Sequence, residues 1–414
     1  MVELNDFAAV KTKNAMVFHG NNLDVLPFMA DNSVDAIVTD PPYELGFMGK
    51  SWDSSGIAYS VELWRECLRV LKPGGHLLAF GGSRTWHRIA VAIEDAGFDV
   101  RDSIAWLYGS GFPKSHDISK GIDKAAGAER ERVELVGGAL NSGTANGWNG
   151  SSNHSETATL AGTRQVDDPV TDEAKQWQGW GTALKPAFEP IVVARKPLIG
   201  TVAANVLEWG VGGLNIDASR IGTEAVTINT FDNGAKPFGN GAGEDYTSRQ
   251  SVGRWPANII LDPYTAELLD EQTDELGASR FFYVAKASKR DRNEGLDELP
   301  EIQSGSFNGN ADLKPGNKIG ADPGKLNQPR QNFHPTVKPT ELMRYLIKLV
   351  TPAGGTVLDP FTGSGSTGKA ALLDGYQFIG IELTDDYLPI IQGRLEWAEN
   401  EYLNAADKEN EVLF

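Results

Sequence analysis

The sequence near residue 360 reads Val357-Leu358-Asp359-Pro360-Phe361-Thr362-Gly363-Ser364-Gly365-Ser366-Thr367-Gly368. A helix-like segment (369–373) follows, and then an apolar run (376–382) that ends on Glu382. This order predicts a strand, a glycine-rich turn, a helix and a second strand. In nucleotide-type sites, glycines let the backbone approach the ligand, and an acid about twenty residues further on accepts hydrogen bonds from ribose. We therefore predict a ligand-binding turn here, with Glu382 at a ribose.

A second motif, Asp40-Pro41-Pro42-Tyr43, follows the apolar run at 34–39. Consecutive prolines have fixed φ and donate no backbone hydrogen bond, so the carbonyls around them stay available to a ligand. Asp40 and the Pro41 carbonyl can accept the two hydrogens of an exocyclic amino group while Tyr43 stacks on its ring. The motif thus predicts a site for a flat ring that carries an amino group. The alternative interpretation is a strand that ends in an ordinary proline turn.

A phosphate-binding P-loop is the rival interpretation of the glycine-rich turn. Residues 363–369 fit the first seven positions of the pattern, but the next residue is Ala370 where a Ser or Thr should hold magnesium. Because the motif fails at a residue that carries the chemistry, a P-loop ATPase is a weaker hypothesis.

The two motifs, in this order, resemble the S-adenosylmethionine-dependent DNA amino-methyltransferases of the permuted class called β, in which the catalytic motif comes first. His334-Pro335-Thr336-Val337-Lys338-Pro339 resembles the family segment that leads into the cofactor strand. The stretch at 106–114 resembles enzymes carried by phages and prophages. The resemblance covers both ends of the chain well and the middle poorly.

The resemblance implies methyl transfer from S-adenosylmethionine to adenine N6 in duplex DNA, by base flipping and direct in-line attack. It implies that the catalytic residues are Asp40, Pro41, Pro42 and Tyr43. For the cofactor it implies Glu382 at the ribose, Lys338 near the methionine carboxylate, and Asn21 where many relatives carry an acid that binds the cofactor adenine. It also implies cofactor roles for a set of residues around the glycine-rich turn: Asp359, Phe361, Thr362, Gly363, Gly365 and Thr367.

Three alternatives stay open. Relatives that methylate cytosine N4 more often carry Ser in place of Asp40, so Asp40 favours adenine over cytosine. An inactive DNA-binding relative and the P-loop ATPase are the others. A homodimer and a companion restriction nuclease are possible partners that the resemblance suggests.

The fold class expected is α/β, a Rossmann-like methyltransferase fold with a mainly parallel, circularly permuted, seven-stranded sheet. The strands are expected at 16–19, 34–39, 76–80, 100–107 and 190–194, around 357, and at 376–382. Both motifs then fall at carboxyl ends of strands, where open α/β sheets bind ligands. The expected segments are a catalytic half (1–108), an insertion (109–185), an edge strand (186–199), a second insertion that carries target recognition (200–333), a cofactor half (334–403) and an acidic tail (404–414).

Composition limits these interpretations. The net charge of −18 argues against strong non-specific DNA binding, because DNA affinity comes largely from Lys and Arg on phosphates. Basic residues at 286–292 and 314–330 could still line a groove. The single cysteine, Cys67, excludes a disulfide within the chain, and the acidic start has no signal-peptide core. We expect an intracellular enzyme of a bacterium or phage-infected cell, without a membrane segment or a bound metal.

Overall fold

The computed structural model describes residues 3–45, 51–109, 111, 115–135, 162–165, 168–231, 246–273, 277–285, 291–303 and 329–412. These residues belong to two compact units, one made of Met1–Ser110 and Ala187–Phe414, the other of Gly111–Pro186. The basic residues expected at 286–290, 314, 318 and 325 lie outside the described ranges, as do residues 110 and 112–114 of the phage-like stretch.

Sixteen strands are present in the described residues. In chain order they are β1 (Ala8–Lys11), β2 (Ala15–His19), β3 (Val34–Thr39), β4 (Leu71–Phe80), β5 (Asp99–Leu107), β6 (Arg132–Leu135), β7 (Gly162–Gln165), β8 (Phe188–Arg195), β9 (Ile221–Phe231), β10 (Tyr246–Arg254), β11 (Ile259–Leu261), β12 (Tyr283–Val284), β13 (Ile302–Gln303), β14 (Pro329–Arg330), β15 (Thr356–Asp359) and β16 (Gln377–Glu382).

Ten α-helices accompany them in the same ranges. They are α1 (Asn22–Val25), α2 (Val61–Val70), α3 (Trp86–Asp95), α4 (Ile118–Ala125), α5 (Asp172–Gln176), α6 (Val202–Trp209), α7 (Pro263–Glu271), α8 (Thr340–Val350), α9 (Ser366–Leu373) and α10 (Leu388–Val412).

Ten strands of the first unit form one sheet in the order β1-β2-β16-β15-β3-β4-β8-β5-β11-β12. All of them run in one direction except β1 and β8, which are antiparallel to their neighbours. The late strands β15 and β16 thus lie between the early strands β2 and β3. β9 pairs with β10 and β13 with β14 in separate antiparallel ribbons, and in the second unit β6 pairs with β7.

Helices cover both faces of the sheet. Residues 36–38 of β3 are fully buried and alternate between two hydrophobic clusters, so they face opposite sides of the sheet. One cluster includes buried side chains of α8, α9 and α10, and the other includes those of α2 and α3. In α2 the pattern is explicit: Ser60 Oγ caps the helix by accepting from the Leu63 amide, and buried apolar residues recur at helical spacing (Leu63, Trp64, Cys67 and Val70). The predicted class, an α/β fold with a mainly parallel sheet, is confirmed.

All seven expected strands are present, and three more (β1, β11 and β12) extend the sheet. β5 and β8 pair antiparallel as expected, but the prediction of an edge strand at 186–199 is wrong. β11 pairs with the far side of β5, and β12 pairs with β11, so the edge lies beyond them. Strands of two or three residues have no periodic pattern by which the sequence could identify them.

Two boundaries also differ from those expected. β4 begins at Leu71 rather than at residue 76, because Leu71 already pairs with Val34 before the register shifts. α10 continues through the expected boundary at 403/404 and ends at Val412.

Candidate active site

The two sequence motifs meet at one edge of the sheet. β15 pairs in parallel with β3, with Val357 opposite Ala36 and Leu358 opposite Ile37. The carboxyl ends of parallel neighbours lie at the same edge, so Asp359 and Asp40 follow adjacent strands there. Thr39 Oγ1 donates a hydrogen bond of 2.6 Å to Asp359 Oδ1. The predicted juxtaposition of motifs from the two ends of the chain is confirmed.

Asp359 shapes the glycine-rich turn from inside. Its Oδ2 accepts from Thr367 Oγ1 at 2.5 Å, and its Oδ1 accepts from the Phe361 amide at 3.0 Å as well as from Thr39. Thr362 Oγ1 donates to the Asp359 carbonyl at 3.1 Å. Burial raises the pKa of Asp359 to about 6, although the bonds from Thr367 and Thr39 oppose that shift. Asp359, Thr362 and Thr367 therefore hold the loop in shape through their bonds to one another.

Glu382 holds the other side of the same turn. Its Oε2 accepts from the Gly363 amide at 2.7 Å, and its Oε1 accepts from the Thr384 amide at 2.8 Å. Burial raises the pKa of this carboxyl, against the effect of those two amides. A carboxylate has about four lone-pair sites, so Glu382 keeps acceptor capacity for further donors.

Glycine is favoured by the backbone conformation of this turn. Gly363 and Gly365 have φ of +54° and +74°, in the left-handed region that other residues rarely adopt. A Cβ at Gly363 would lie 3.0 Å from His334 Nε2, so the backbone and the imidazole close on a narrow cradle. The His334 Nδ1 is bonded to the Thr336 carbonyl, which can only accept. That bond makes Nε2 the bare, accepting nitrogen, and burial lowers the pKa of His334 to about 3.

Asn21 follows β2, whose last residue, His19, is paired with Glu382. Its Oδ1 accepts from the Leu23 amide at 2.9 Å and caps α1. The Asn21 side chain is therefore beside the nucleotide-type turn but already serves as a helix cap. Its predicted role at a cofactor adenine stays a prediction.

The loop that carries Asp40-Pro41-Pro42-Tyr43 is fixed where it leaves the strand. Thr85 Oγ1 donates to the Tyr43 carbonyl at 2.9 Å. The buried carboxylate of Asp53 accepts from the amides of Glu44 and Leu45 at 2.9 and 3.2 Å. Glu44 has φ of +54°, so these bonds hold a backbone conformation that is unfavourable for a residue with a Cβ.

Asp40 is bonded through one oxygen only. Its Oδ2 accepts from Lys338 Nζ at 2.6 Å, whereas Oδ1 is buried and has no hydrogen-bond partner among the residues that the structure describes. Burial raises the pKa of Asp40, and the Lys338 ammonium opposes that shift. The site therefore presents a buried acceptor that is ready for a donor.

Lys338 lies against the Asp40-Pro41-Pro42-Tyr43 motif. Its Nζ is 3.2 Å from the Tyr43 hydroxyl and 3.3 Å from Glu189 Oε2, in addition to its bond with Asp40. The Tyr43 hydroxyl donates to the same Glu189 oxygen at 2.8 Å. The predicted role of Lys338 at a methionine carboxylate stays a prediction.

The P-loop hypothesis meets a direct obstacle at Lys369. This side chain is fully buried, and its Nζ bonds Asp291 Oδ1 at 2.6 Å and Glu294 Oε2 at 2.8 Å. A P-loop lysine must instead reach the phosphates of a nucleotide. Lys369 thus joins α9 to the segment near residue 291.

Glu189 was not identified from the sequence. It precedes Pro190 at the start of an apolar strand (β8), and a charged residue at that position is the only signal available. Because β8 is antiparallel to β4 and β5, its amino end lies beside the carboxyl ends of these parallel strands. The direction of β8 thus brings Glu189 to Tyr43 and Lys338.

Within the described part of the chain, no cluster of three or more His, Cys, Asp or Glu residues is arranged to hold a metal ion. In the same residues no helix has the length and apolar character needed to cross a membrane.

A protein-family model described as a DNA methylase (N6/N4) matches residues 34–393. Among curated proteins, the type II methyltransferase M2.DpnII of Streptococcus pneumoniae is 50% identical over 68 residues, which are 16% of this chain and 25% of that protein. The type II methyltransferase M.HindIII of Haemophilus influenzae is 24% identical over 344 residues, which are 82% of this chain and 69% of that protein. The chain thus aligns with about a quarter of the length of the first relative.

Among solved structures, the crystal structure of an M1.HpyAVI–SAM complex aligns with a TM-score of 0.38 and 17% identity. The alignment covers 92% of this chain and 98% of that one.

Proposed function

The chain belongs to the N6/N4 DNA methylase family, and from this premise we propose that it transfers a methyl group from S-adenosylmethionine to the N6 amino group of adenine in duplex DNA. The observation that carries the proposal is the buried, unpartnered Oδ1 of Asp40 at the sheet edge where the glycine-rich turn also lies. An amino-group acceptor and a nucleoside-binding turn then serve one cleft.

The residues of the turn suit S-adenosylmethionine. A Cβ at Gly363 would make a tight contact of 3.0 Å with His334 Nε2, and its absence leaves the backbone open to close approach by a ligand. Glu382 is buried at the end of the neighbouring strand and can accept from ribose hydroxyls. We assign the backbone from Phe361 to Gly365 to the methionine and ribose side of the cofactor. When bound, S-adenosylmethionine supplies a methyl group on a positively charged sulfur.

The catalytic residues act on the amino group of the base. The amino nitrogen is a poor nucleophile because its lone pair is delocalised into the ring. Asp40 Oδ1 and the Pro41 carbonyl accept its two hydrogens, which favours tetrahedral geometry and frees the lone pair. A hydrogen bond to an ionised group contributes on the order of 1.5–3 kcal/mol, and more where water is excluded. Transfer would break the donor's carbon–sulfur bond as the methyl–nitrogen bond forms, which leaves a neutral thioether, and the surplus proton on the nitrogen would pass to Asp40.

A base within a duplex cannot reach this acceptor, so the target nucleotide must leave the helix, at an expense of a few kcal/mol. The Tyr43 ring supplies a stacking surface beside Asp40. Stacking of a base on an aromatic side chain returns roughly 1–3 kcal/mol. Tyr43 therefore compensates for part of the unstacking.

We favour adenine over cytosine because N4-cytosine relatives more often carry a serine where this chain has Asp40, whose carboxylate is the stronger acceptor. The family itself includes both chemistries, so the identity of the methylated base is the part of the proposal that most needs measurement.

The experiment uses the full chain, duplex DNA and S-adenosylmethionine with a labelled methyl group. We expect label in the DNA of the wild-type reaction, recovered as N6-methyladenine by nucleoside mass spectrometry, and none with Asp40→Ala. Detection of N4-methylcytosine without N6-methyladenine would show that the methylated base is cytosine rather than adenine. Cofactor binding without any labelled DNA, on substrates of varied sequence, would contradict the methylase activity.

A further inference from the structure

Glu189 is bonded to two parts of the catalytic motif at once. Its Oε2 accepts from the Tyr43 hydroxyl at 2.8 Å and lies 3.3 Å from Lys338 Nζ. The Glu189 side chain is 19% exposed and that of Lys338 is 8% exposed, so both groups are largely withdrawn from water. At such burial, charge-assisted bonds hold side chains in one arrangement more strongly than they do at a surface.

Lys338 transmits this constraint to Asp40. Its Nζ donates to Asp40 Oδ2 at 2.6 Å and lies 4.9 Å from the centre of the Phe80 ring. Four groups therefore surround the ammonium: Asp40, the Tyr43 hydroxyl, Glu189 and the face of the Phe80 ring. Asp40 Oδ2 is engaged by the ammonium, whereas the buried Oδ1 has no hydrogen-bond partner among the described residues.

We infer that Glu189 is a positioning residue for methyl transfer, which acts through Lys338 on the Asp40 carboxylate and directly on the Tyr43 ring. This inference rests on the proposed function and adds to it a residue outside the two motifs. Glu189 and Lys338 turn Oδ1 toward the amino group, while the bond to the Tyr43 hydroxyl sets the plane on which the base stacks. Glu189 on β8 therefore positions both the Asp40 acceptor and the Tyr43 stacking surface.

The same arrangement controls the charge of Asp40. Removal of the Glu189 carboxylate removes a negative charge that raises the pKa of Asp40, and removal of the Lys338 ammonium removes a positive charge that lowers it. The two changes should therefore shift the ionisation of Asp40 in opposite directions. The charged and titratable groups that face Asp40 or this pair, from all the elements packed there, are Lys338, Glu189, Tyr43, Tyr108 and Asp359.

The first experiment measures single-turnover methyl transfer, at saturating cofactor and DNA, for wild type, Glu189→Gln and Lys338→Met. Glu189→Gln keeps the shape of the side chain and removes its charge. We expect its rate to fall about tenfold, the effect of one charge-assisted bond, with cofactor affinity unchanged. The acid limb of its pH–rate profile should move to lower pH, and that of Lys338→Met to higher pH. Glu208→Gln, at an exposed position of α6, is the matched control and should retain the wild-type profile.

A second measurement needs no turnover. Titration of the Asp40 carboxyl carbon by NMR, in the same three proteins without ligands, should give the same opposite shifts. A double-mutant cycle with Tyr43→Phe should be non-additive, because Glu189→Gln and Tyr43→Phe disturb the same bond.

The outcomes separate the two proposals. If wild type methylates DNA but Glu189→Gln reacts at the same rate with an unmoved acid limb, the positioning role is wrong while the methylase activity stands. If the two variants react more slowly, but the acid limbs of their pH–rate profiles and their Asp40 NMR titrations match those of wild type, Glu189 has only a structural role. If wild type transfers no methyl group, the proposed function is wrong, and the NMR titrations still decide whether Glu189 governs Asp40.

Discussion

Thr39 donates its hydroxyl hydrogen to Asp359 Oδ1 over 2.6 Å, between residues 320 positions apart in the sequence. Both side chains are buried, with 0% and 2% of their surface exposed. Thr39 immediately precedes Asp40, and Asp359 organises the turn assigned to the cofactor. One hydrogen bond therefore couples the loop proposed to hold the base to the loop proposed to hold the methyl donor.

Thr39→Val should destabilise the protein, since valine has the shape of threonine but leaves Asp359 Oδ1 with one donor fewer. The expected loss is about 1–3 kcal/mol in the free energy of unfolding, measured by urea denaturation. Thr39→Ser keeps the hydroxyl and should lose less. Equal midpoints for the valine variant and wild type would show that this bond has no net effect.

Gly363→Ala should weaken cofactor binding. Alanine in the left-handed region costs about 1–2 kcal/mol, and the new methyl group would lie 3.0 Å from His334 Nε2. We expect the dissociation constant for S-adenosylmethionine, measured by calorimetry, to rise at least about tenfold. Gly213→Ala is the control, because a Cβ there meets nothing within 4 Å. Equal affinity of the two variants for S-adenosylmethionine would contradict the assignment of Gly363 to the cofactor site.

Asp359 should make stability depend on pH. Its pKa in the folded protein is raised to about 6 from the ordinary value of 3.8, so folding favours the protonated form. This contribution is fully present below about pH 4 and is lost as the pH rises through about 6. Relative to Asp359→Asn, which does not titrate, wild type should lose roughly 2–3 kcal/mol of unfolding free energy between pH 4 and pH 7. A constant difference over this range would contradict the raised pKa.

Lys369→Met should lower the free energy of unfolding. Neither wild type nor this variant should hydrolyse ATP. The change takes the Lys369 ammonium away from Asp291 and Glu294, and loss of one partner of a buried pair costs about 3–5 kcal/mol. The buried Arg394, whose Nη2 lies 3.8 Å from Asp291 Oδ1, should offset part of that loss. Asp291→Asn in the same chain should recover part of that loss. Lys11→Met, at an exposed position of β1, should have little effect on the denaturation midpoint. Magnesium-dependent ATP hydrolysis that disappears with Lys369→Met would instead support the P-loop.

The sequence was sufficient to predict the centre of the fold and much of the candidate site. The apolar run before Asp40 and the strand–turn–helix–strand around Gly363 have strong local signals, and their placement at adjacent strand ends follows from general rules for parallel sheets. The cofactor role predicted for Asp359 stays a prediction, and the sequence did not indicate that its oxygens accept from Thr39, Thr367 and the Phe361 amide. Local sequence contains no information about such bonds between distant segments.

Glu189 shows where prediction from a single sequence ends. Its place in the site depends on the direction of β8 and on β8 lying beside β4, and neither is encoded near residue 189. Lys338 is similar, because the sequence locates it before α8 but does not reveal that its ammonium reaches Asp40. The pairing of residues 259–261 and 283–284 beyond β5 likewise depends on contacts formed only in the complete sheet.

The position of β15 and β16 between β2 and β3 affects how the protein is made. On the ribosome, amino-terminal segments emerge and begin to fold first. β2 and β3 must wait for residues 356–382 before the gap between them closes. Until then their backbone edges are unpaired, and such edges invite aggregation. Translation must therefore pass residue 382 before both inner strands, β15 and β16, are present and the native core can form.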